Sequence, residues 1–394
     1  MAPHRTTTSI HIAILDTDVP VPKVYAARGL YSSQFRVLLQ AAAARLNARD
    51  QLRNSANIEI RTTAYDAAGG CLPPLELLRK NPRRGGQNEE GFGPLGPIDA
   101  LLITGSSASA YELDKYPWIA PLQAFIQRVY EEFPEVKIFG SCFGHQIVAQ
   151  ALLSHHNPQF AKDDNNGASG TSHVESQKEE KKKKGYVSVA ACPSGYEIGI
   201  EPITLEPAFT DVFPELRERL SHPDGKLRIQ LIHGDRVMPL SSPDTSSIRS
   251  STNGTTTTST SLPSPWLNVG STTKSPIQGL YHPSRILTYQ GHFEFDTFVN
   301  RETCIEFARR GGWSDADVAA YLDRIGSMPA PGKEDDDDAK VAAEIVVMFL
   351  AGEDQDRDVP TTPPLSKGAE DAVADSGSGL VTPPSMETDV AGTS

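Results

Sequence analysis

The stretch VKIFGSCFGHQIVAQALL, residues 136–153, decides the fold because a strand, a tight turn and a helix follow one another within it. The apolar run 136–139 predicts a short buried strand, and the run 147–153 predicts an apolar helix. Cys142 falls at the turn between them, where a side chain projects away from the sheet and the helix N-terminus favours negative charge. Both features suit a reactive thiolate, and a small buried cysteine without a chemical role is the alternative.

Strand-like and helix-like runs alternate along the chain before this stretch. The strand-like runs are IHIAILD at 10–16, IEIRTTAYD at 58–66 and IDALLITG at 98–105. Helix-like runs occupy residues 32–46 and 116–133. Because helices separate nearly continuous apolar strands, we predict an α/β fold with a doubly wound, mostly parallel sheet that has helices on both faces.

The part of the chain after this stretch is richer in short β-like runs. Their close spacing over residues 196–291 predicts that some of them form an antiparallel extension of the sheet. Helix-like runs follow at 302–310, 315–326 and 339–352, and the last of them is strongly apolar. The chain is therefore expected to end its folded part with helices that cover the sheet.

The composition predicts one folded domain with low-complexity segments inside and beside it. The domain is expected to span residues 9–353, between a flexible N-terminal tail at 1–8 and a disordered acidic tail at 354–394. Two polar insertions, 155–184 and 241–265, interrupt the domain. Neither insertion has enough apolar residues to offset the entropy that ordering would cost.

The overall composition argues against several classes of protein. A net charge of −13 is unlike a general nucleic-acid binder, and no apolar stretch approaches the roughly 20 residues that cross a bilayer. The first residues lack the pattern of a signal peptide, and the cysteines form no CxxC pair. We therefore predict a cytoplasmic protein with free thiols and neither metal nor cofactor, and the lysine run 181–184 leaves a nuclear location open.

A cysteine nucleophile needs a base, and the base needs a group that orients it. The stretch ILTYQGHFEFDTF, residues 286–298, ends a β-like run at Gln290 and places His292 two residues before Glu294. Residues two apart in an extended chain point to the same side, so the carboxylate can hold the imidazole while the imidazole meets a thiol. A polar pair at a strand end is the alternative.

A third element is LLITGSSASAYE, residues 101–112, in which an apolar strand ends at Gly105 and Ser106. Backbone N–H groups in such a turn can receive a developing oxyanion. The N–H of Phe143, directly after the candidate nucleophile, would be the second donor. All three elements follow the C-terminal ends of strands, which is the edge where open α/β sheets bind ligands.

The ordered motifs GSCFGHQ at 140–146 and QGHFE at 290–294 resemble the class I glutamine amidotransferase family. Within that family they resemble the lone-domain branch that is similar to the glutaminase part of GMP synthetase and to the plant γ-glutamyl peptidases. The segments ILDTDVP at 14–20, ITGS at 103–106 and IHGDRV at 232–237 look like the same branch.

The resemblance covers roughly residues 10–310 outside the insertions and implies a flavodoxin-like fold. It further implies that Cys142 attacks the γ-carbonyl of a glutamyl amide and forms a thioester. His292 would then transfer protons, Glu294 would orient it, and Gln146 would help to hold the glutamyl group. The implied oxyanion hole comprises Gly105, Ser106 and Phe143.

Several neighbouring residues carry less specific signals. Phe293 stands where many members of the family have proline, and His233 in the HGD segment is predicted to be a structural loop residue. Lys115, Tyr116 and Trp118 follow the glycine-rich turn and could line the site, although we predict that Trp118 belongs to the core.

Three functions remain open from the sequence. The first is a cysteine hydrolase that acts on glutamine or a γ-glutamyl peptide, and the second is a glutaminase subunit that delivers ammonia to a separate synthase partner. The third is a catalytically idle binding or regulatory domain. No synthetase-like sequence follows residue 353, so we expect no second active site for ammonia in this chain.

Overall fold

The computed structural model describes residues 6–49, 56–83, 92–154, 185–240, 262–328 and 337–354. The strands are β1 (Thr7–Asp16), β2 (Asn57–Asp66), β3 (Ala100–Ile103), β4 (Lys137–Ser141), β5 (Val187–Ala191), β6 (Glu197–Ile200), β7 (Thr204–Leu205), β8 (Gln230–His233), β9 (Asp235–Pro239), β10 (Leu267–Asn268), β11 (Gly270–Ser271), β12 (Leu280–His282) and β13 (Ile286–Tyr289). The helices are α1 (Pro22–Arg28), α2 (Tyr31–Arg49), α3 (Ile119–Glu132), α4 (Phe143–Leu153), α5 (Pro207–Val212), α6 (Pro214–Arg219), α7 (Thr297–Gly311), α8 (Asp315–Ile325) and α9 (Ala339–Ala351).

A seven-stranded sheet forms the centre of the fold, with the strand order β10-β12-β13-β4-β3-β1-β2. The five strands from β13 to β2 are parallel, whereas β12 and β10 pair antiparallel at one edge. The order 2-1-3-4, completed by β13 as the fifth parallel strand, is the flavodoxin-like order. The predicted doubly wound, mostly parallel α/β fold is therefore confirmed.

Side chains of β1 alternate between the two faces of the sheet, as they must in an extended chain. Ile12 and Ile14 belong to one buried cluster that includes residues of α2 and α9. Ala13 and Leu15 belong to a second cluster that includes residues of α3 and α4. Both faces are covered, which explains why the strand reads as a continuous apolar run.

Part of the β-rich region extends the sheet, as predicted. Only β10 and β12 add antiparallel strands to the central sheet, and β13 joins it as a parallel strand. The remaining pairs, β5–β9, β6–β8 and β7–β11, form three separate two-stranded antiparallel ladders. Runs of two to five residues carry too weak a pattern to distinguish a sheet strand from such a ladder.

The predicted ends of the domain shift by one or two residues. β1 begins at Thr7, inside the predicted tail 1–8, because its first residues already pair with β2. Asp354, predicted to open the acidic tail, is buried and accepts hydrogen bonds from Lys137 at 3.2 Å and from the hydroxyl of Tyr281 at 2.9 Å. The rest of that tail lies outside the described residues.

Two helices begin before the predicted positions for local reasons. α4 begins at Phe143, directly after Cys142, so that the turn between strand and helix is a single residue. α7 begins after Asp296, whose carboxylate accepts a hydrogen bond from the N–H of Val299 at 2.8 Å and so caps the helix.

The two predicted insertions fall mostly outside the described residues. The segment 155–184 does so completely, and the segment 241–265 does so as far as residue 261. Leu262, within the second predicted insertion, packs against the buried cluster of α3 and α4. The folded chain therefore resumes a few residues earlier than its composition indicates.

The described residues on the two sides of the segment 155–184 lie next to each other. The N–H of Tyr186 donates a hydrogen bond to the carbonyl of Leu153, the last residue of α4, at 2.8 Å. The N–H of Leu240 in turn donates to the carbonyl of Tyr186 at 2.8 Å. α4 and β5 are thus joined by direct backbone contact.

Candidate active site

Cys142 occupies a sharp turn between β4 and α4 with an unusual backbone conformation. Its φ of +52° and ψ of −102° lie where residues other than glycine are rare, and such a conformation costs roughly 1–3 kcal/mol. Its N–H donates to the carbonyl of Tyr289 in β13 at 2.8 Å. Gly140 and Gly144 permit the turn, because a Cβ on Gly144 would lie 2.3 Å from the carbonyl oxygen of Ile103.

His292 and Glu294 lie just past the end of β13 and form a buried pair. Nδ1 of the imidazole is 2.7 Å from Oε1 of Glu294, and the hydroxyl of Ser141 donates to the same oxygen at 2.9 Å. The backbone N–H of His292 donates to the carbonyl of Gln230 at 2.8 Å. Contacts from two further strands, β4 and β8, therefore fix the position and the ring orientation of His292.

The electrostatic surroundings favour a positively charged imidazole at His292. Burial alone would lower its pKa, but the charge of Glu294 and the interactions with Cys142 outweigh burial and raise the pKa to about 10. Nε2 is buried on the side of Cys142 and has no hydrogen-bond partner other than that thiol among the described residues. A buried nitrogen of this kind is typical of a group that serves a reaction.

Aromatic rings hold the histidine from its flanking positions. The ring of Phe295 stacks on the imidazole of His292 with the ring centroids 4.1 Å apart. Phe293 points the other way, into the core, where it packs against Phe35 and Phe139 at centroid distances of 5.5 and 5.7 Å. Phe293 thus anchors the end of the strand, and the contact between the imidazole of His292 and the carboxylate of Glu294 is kept.

The glycine-rich turn after β3 lies against both Cys142 and His292. A Cβ on Gly105 would be 3.7 Å from Cβ of Cys142 and 3.0 Å from Cε1 of His292, so a side chain there would push on the imidazole. No hydrogen bond among the described residues engages the backbone N–H of Gly105, Ser106 or Phe143. Three backbone donors without partners are therefore available next to the thiol.

Two cavities adjoin this cluster. A small one of about 40 Å³ lies over the thiol and is lined by Gly105, Cys142 and His292 among others. A larger one of about 500 Å³ opens beside it, at the ends of β1, β2 and β3, and is lined in part by Tyr116 and Trp118. The two cavities share four lining residues, which are Asp18, Val19, Ser106 and Ser107.

Gln146 lies outside both cavities and contacts Gln290. Its amide nitrogen is 3.2 Å from Oε1 of Gln290 and 3.3 Å from the carbonyl oxygen of Asp235, and its side chain lines neither cavity. Gln290 is closer to the thiol, because its amide nitrogen lies 3.5 Å from Sγ of Cys142. Gln146 is therefore connected to Cys142 only indirectly, through its hydrogen bond to Gln290.

Comparison with known proteins gives partial matches in sequence. A protein of Schizosaccharomyces pombe, provisionally named as glutamine amidotransferase-like, is 33% identical over 141 residues, which are 36% of this chain and 47% of that protein. A protein of Saccharomyces cerevisiae, provisionally named a glutamine amidotransferase, is 25% identical over 202 residues, 50% of this chain and 54% of that protein. The chain resembles the class I glutamine amidotransferases. It spans about half the length of these relatives, and no family model matches it.

Solved structures of glutamine amidotransferases cover most of the chain at low identity. The enzyme of Thermotoga maritima has a TM-score of 0.45 and 14% identity, and covers 89% of this chain and 99% of its own. That of Methylobacillus flagellatus has a TM-score of 0.43 and 13% identity, and covers 90% of this chain and 97% of its own.

Some residues of this site have no role assigned to them from the sequence. Gln290, Ser141 and Phe295 contact the thiol, the carboxylate and the imidazole, respectively; the first two lie within the motifs at 290–294 and 140–146, and Phe295 follows the former. The prediction for Trp118 was incomplete, because its ring packs on Phe143 at 5.4 Å and also lines the larger cavity. Its place directly before α3 puts it at the edge of the sheet.

His233 contacts the carboxylate of Glu197 and is not part of the pair formed by His292 and Glu294. Nδ1 lies 2.9 Å from the carbonyl oxygen of Asp235, and Nε2 lies 3.2 Å from Oε2 of the buried Glu197. These contacts hold the turn between β8 and β9. No group of three or more His, Cys, Asp or Glu side chains suited to a metal occurs within the described ranges, and no helix there is long and apolar enough to span a membrane.

Proposed function

We propose that the chain is a cysteine-dependent hydrolase that cleaves a γ-glutamyl amide, in glutamine or in a γ-glutamyl peptide, through a glutamyl thioester. The observation that carries this proposal is the contact of three groups at one sheet edge. These are the strained Cys142, the buried pair of His292 and Glu294, and the unengaged N–H groups around Gly105. This combination fits nucleophilic acyl transfer.

In the first step the thiolate of Cys142 adds to the γ-carbonyl carbon, and the carbonyl oxygen takes up the negative charge. The N–H groups of Gly105, Ser106 and Phe143 are the proposed donors to this oxyanion. The imidazolium of His292 then gives its proton to the departing nitrogen, the C–N bond breaks, and the amine leaves. Because the charge of Cys142 is one reason for the raised pKa of His292, the imidazolium becomes a stronger acid once the thiolate is consumed.

In the second step water attacks the thioester and gives a proton to the now neutral His292. The C–S bond breaks, the thiolate and the imidazolium are restored, and the γ-carboxylic acid of glutamate leaves and releases its remaining proton to solvent as it becomes a carboxylate. Glu294 stabilises the charged imidazole at both stages, since it stays 2.7 Å from Nδ1. The relatives and their names support the glutamyl substrate class.

The size of the neighbouring cavity supports a leaving group larger than ammonia. The cavity over the thiol has about 40 Å³, enough for a small group only, whereas the cavity beyond the Ser106 turn has about 500 Å³. An amine with an attached amino acid or peptide would fit there. We therefore expect γ-glutamyl peptides to be hydrolysed at least as well as glutamine.

The test uses the purified full-length chain without any partner. Release of glutamate from glutamine and from γ-glutamyl peptides such as glutathione is measured, with Cys142→Ala as the inactive control. Glutamate release that depends on Cys142 supports the proposal, and absence of release from every γ-glutamyl amide contradicts it.

The second candidate is a glutaminase subunit that delivers ammonia to a separate synthase. The names of the yeast relatives favour this reading, since both are called glutamine amidotransferases or amidotransferase-like. A chain that is inert towards γ-glutamyl peptides, yet releases ammonia from glutamine once cell extract is added, would support it. An idle domain would have no use for the strain at Cys142 or for a buried Nε2 of His292 whose only partner is the thiol.

A further inference from the structure

Thr17 lies directly after β1 and contacts the turn that follows β3. Its side chain is 1% exposed, and its hydroxyl oxygen is 3.0 Å from the carbonyl oxygens of both Thr104 and Gly105. The same oxygen lies 3.0 Å from Oγ1 of Thr104, and the backbone N–H of Thr17 donates to that Oγ1 at 3.0 Å. Two successive peptide groups of the turn therefore direct their carbonyls to one buried hydroxyl.

Each of the two carbonyls in this cluster can accept one hydroxyl proton. The hydroxyl of Thr104 accepts from the N–H of Thr17 and lies 3.3 Å from the carbonyl oxygen of Gly105, to which it can donate. The hydroxyl proton of Thr17 can then go to the carbonyl of Thr104. Two hydroxyl protons then serve two buried carbonyls, so neither carbonyl nor either hydroxyl proton of the cluster is left without a partner.

The direction of these carbonyls sets the direction of the N–H groups. The only cis peptide bond in the described chain is Ser264–Pro265, so the peptide groups that end in Gly105 and Ser106 are trans. In a trans peptide the N–H points opposite to the carbonyl. With both carbonyls held by threonine hydroxyls, the N–H groups of Gly105 and Ser106 point away from Thr17, and both residues line the cavity over the Cys142 thiol.

We propose that Thr17 is a positioning residue that holds the N–H group of Gly105 directly, and that of Ser106 together with Thr104, towards the reacting carbonyl. The inference rests on the proposed function, because it gives those groups the task of stabilising the oxyanion. If either peptide rotated by about half a turn, a carbonyl oxygen would face the oxyanion in place of a donor, and transition-state stabilisation would be lost.

Asp18 holds the next part of the same turn. Its Oδ2 accepts hydrogen bonds from the N–H of Ser107 at 2.8 Å and from the hydroxyl of Ser107 at 2.7 Å. Thr17 and Asp18, directly after β1, therefore fix the turn at Thr104, Gly105 and Ser107. This gives the segment TD at 17–18 a role that the catalytic cluster itself does not explain.

The test compares Thr17→Val, which removes the hydroxyl and keeps the shape, with Thr17→Ser, which keeps the hydroxyl. We expect Thr17→Val to lower kcat about 100-fold or more and to leave KM within about twofold, because the lost interaction forms in the transition state only. Thr17→Ser should stay within about fivefold of the wild type. Thr210→Val is the matched control, since Thr210 is buried in α5 and its hydroxyl donates to the carbonyl of Pro207 at 2.9 Å.

A crystal structure of Thr17→Val supplies a readout that does not need turnover. The expected result is a rotation of the peptide between Thr104 and Gly105, or of the next one. Unchanged peptides together with an unchanged kcat overturn the inference, as does an equal loss in the Ser and Val variants. If Thr17→Val does not fold, Thr17→Ala takes its place.

The two proposals fail in different ways. A wild-type chain inert towards every γ-glutamyl amide would contradict the proposed function. The orientation of the Gly105 and Ser106 peptides in the Thr17 variant would still decide the positioning role, because unchanged peptides refute it and rotated peptides support it.

Discussion

Nδ1 of His292 lies 2.7 Å from Oε1 of Glu294, and the hydroxyl of Ser141 occupies a second position on the same oxygen. Both partners of the pair are buried, so water does not screen the charge of the carboxylate. The carboxylate thereby fixes the ring of His292 and supports its positive charge.

Replacing Glu294 with Gln should lower kcat about 100- to 10,000-fold while the fold remains intact. The raised pKa of His292 depends on the charge of Glu294, so its removal lowers that pKa and the imidazolium is lost at a lower pH. The alkaline limb of the pH–rate profile should therefore move to lower pH. Glu59→Gln, on the exposed part of β2, is the control. An alkaline limb that does not move would show that the charge of Glu294 does not raise the pKa of His292.

Replacing Cys142 with Ala or Gly should abolish turnover, and the two variants should differ in stability. Alanine at a φ of +52° keeps the backbone strain, whereas glycine relieves it, so Cys142→Gly should be more stable by about 1 kcal/mol. Chemical denaturation measures the difference. Ala151→Gly, inside α4, should show the opposite sign with about 1 kcal/mol lost. Equal stabilities of the Cys142 variants would mean that the turn carries no strain.

His145 should make the protein sensitive to acid. It is fully buried, and burial together with the positive charge of His233 lowers its pKa to about 3. Between pH 6.5 and 3 the unfolded chain therefore binds a proton that the folded chain does not, and the free energy of unfolding falls as the pH falls. This one group should contribute a slope of about 1.4 kcal/mol per pH unit.

Urea denaturation of the wild type and of His145→Gln between pH 4 and 8 measures this slope. Below pH 6 the free energy of unfolding of the variant should change with pH less steeply than that of the wild type, by about 1.4 kcal/mol per pH unit, whatever the variant's absolute stability. From pH 7 to 8 the two proteins should run parallel, which is the internal control. Parallel curves over the whole range would show that His145 does not titrate as described.

Filling the larger cavity should lower the activity towards γ-glutamyl peptides more than the activity towards glutamine. Ala68 lines this cavity beside the end of β2, so Ala68→Trp should reduce kcat/KM for γ-glutamyl peptides at least about tenfold and affect glutamine little. Ala44→Trp, on the exposed side of α2, is the control for the added ring. Equal losses for both substrates would place the leaving group elsewhere.

The sequence predicts the parallel core because its strands are continuous runs of apolar residues. β1 and β4 are buried on both faces, and helices of normal length separate them, so composition alone identifies them. The ladders β5–β9 and β6–β8 are short, β5–β9 is partly exposed, and the pairing of both depends on contacts far apart in the chain. No local pattern records such contacts.

The candidate site divides in the same way. Cys142, His292 and Glu294 stand in motifs whose spacing has a chemical reason, and the structure brings them together at one edge of the sheet. Thr17 meets Gly105 only because β1 and β3 are neighbours in the sheet, although 88 residues separate the two in the chain. Such contacts become visible only when the strand order is known.

The backbone contact between Leu153 and Tyr186 has a consequence for the evolution of this chain. Because the core is already closed across that junction, the length and composition of what lies between can drift without moving α4 or β5. Insertions and deletions should therefore accumulate there among relatives, and alignments should break at that point. The stretch that ends at Leu153 and the β-rich part that resumes at Tyr186 should stay in register on either side.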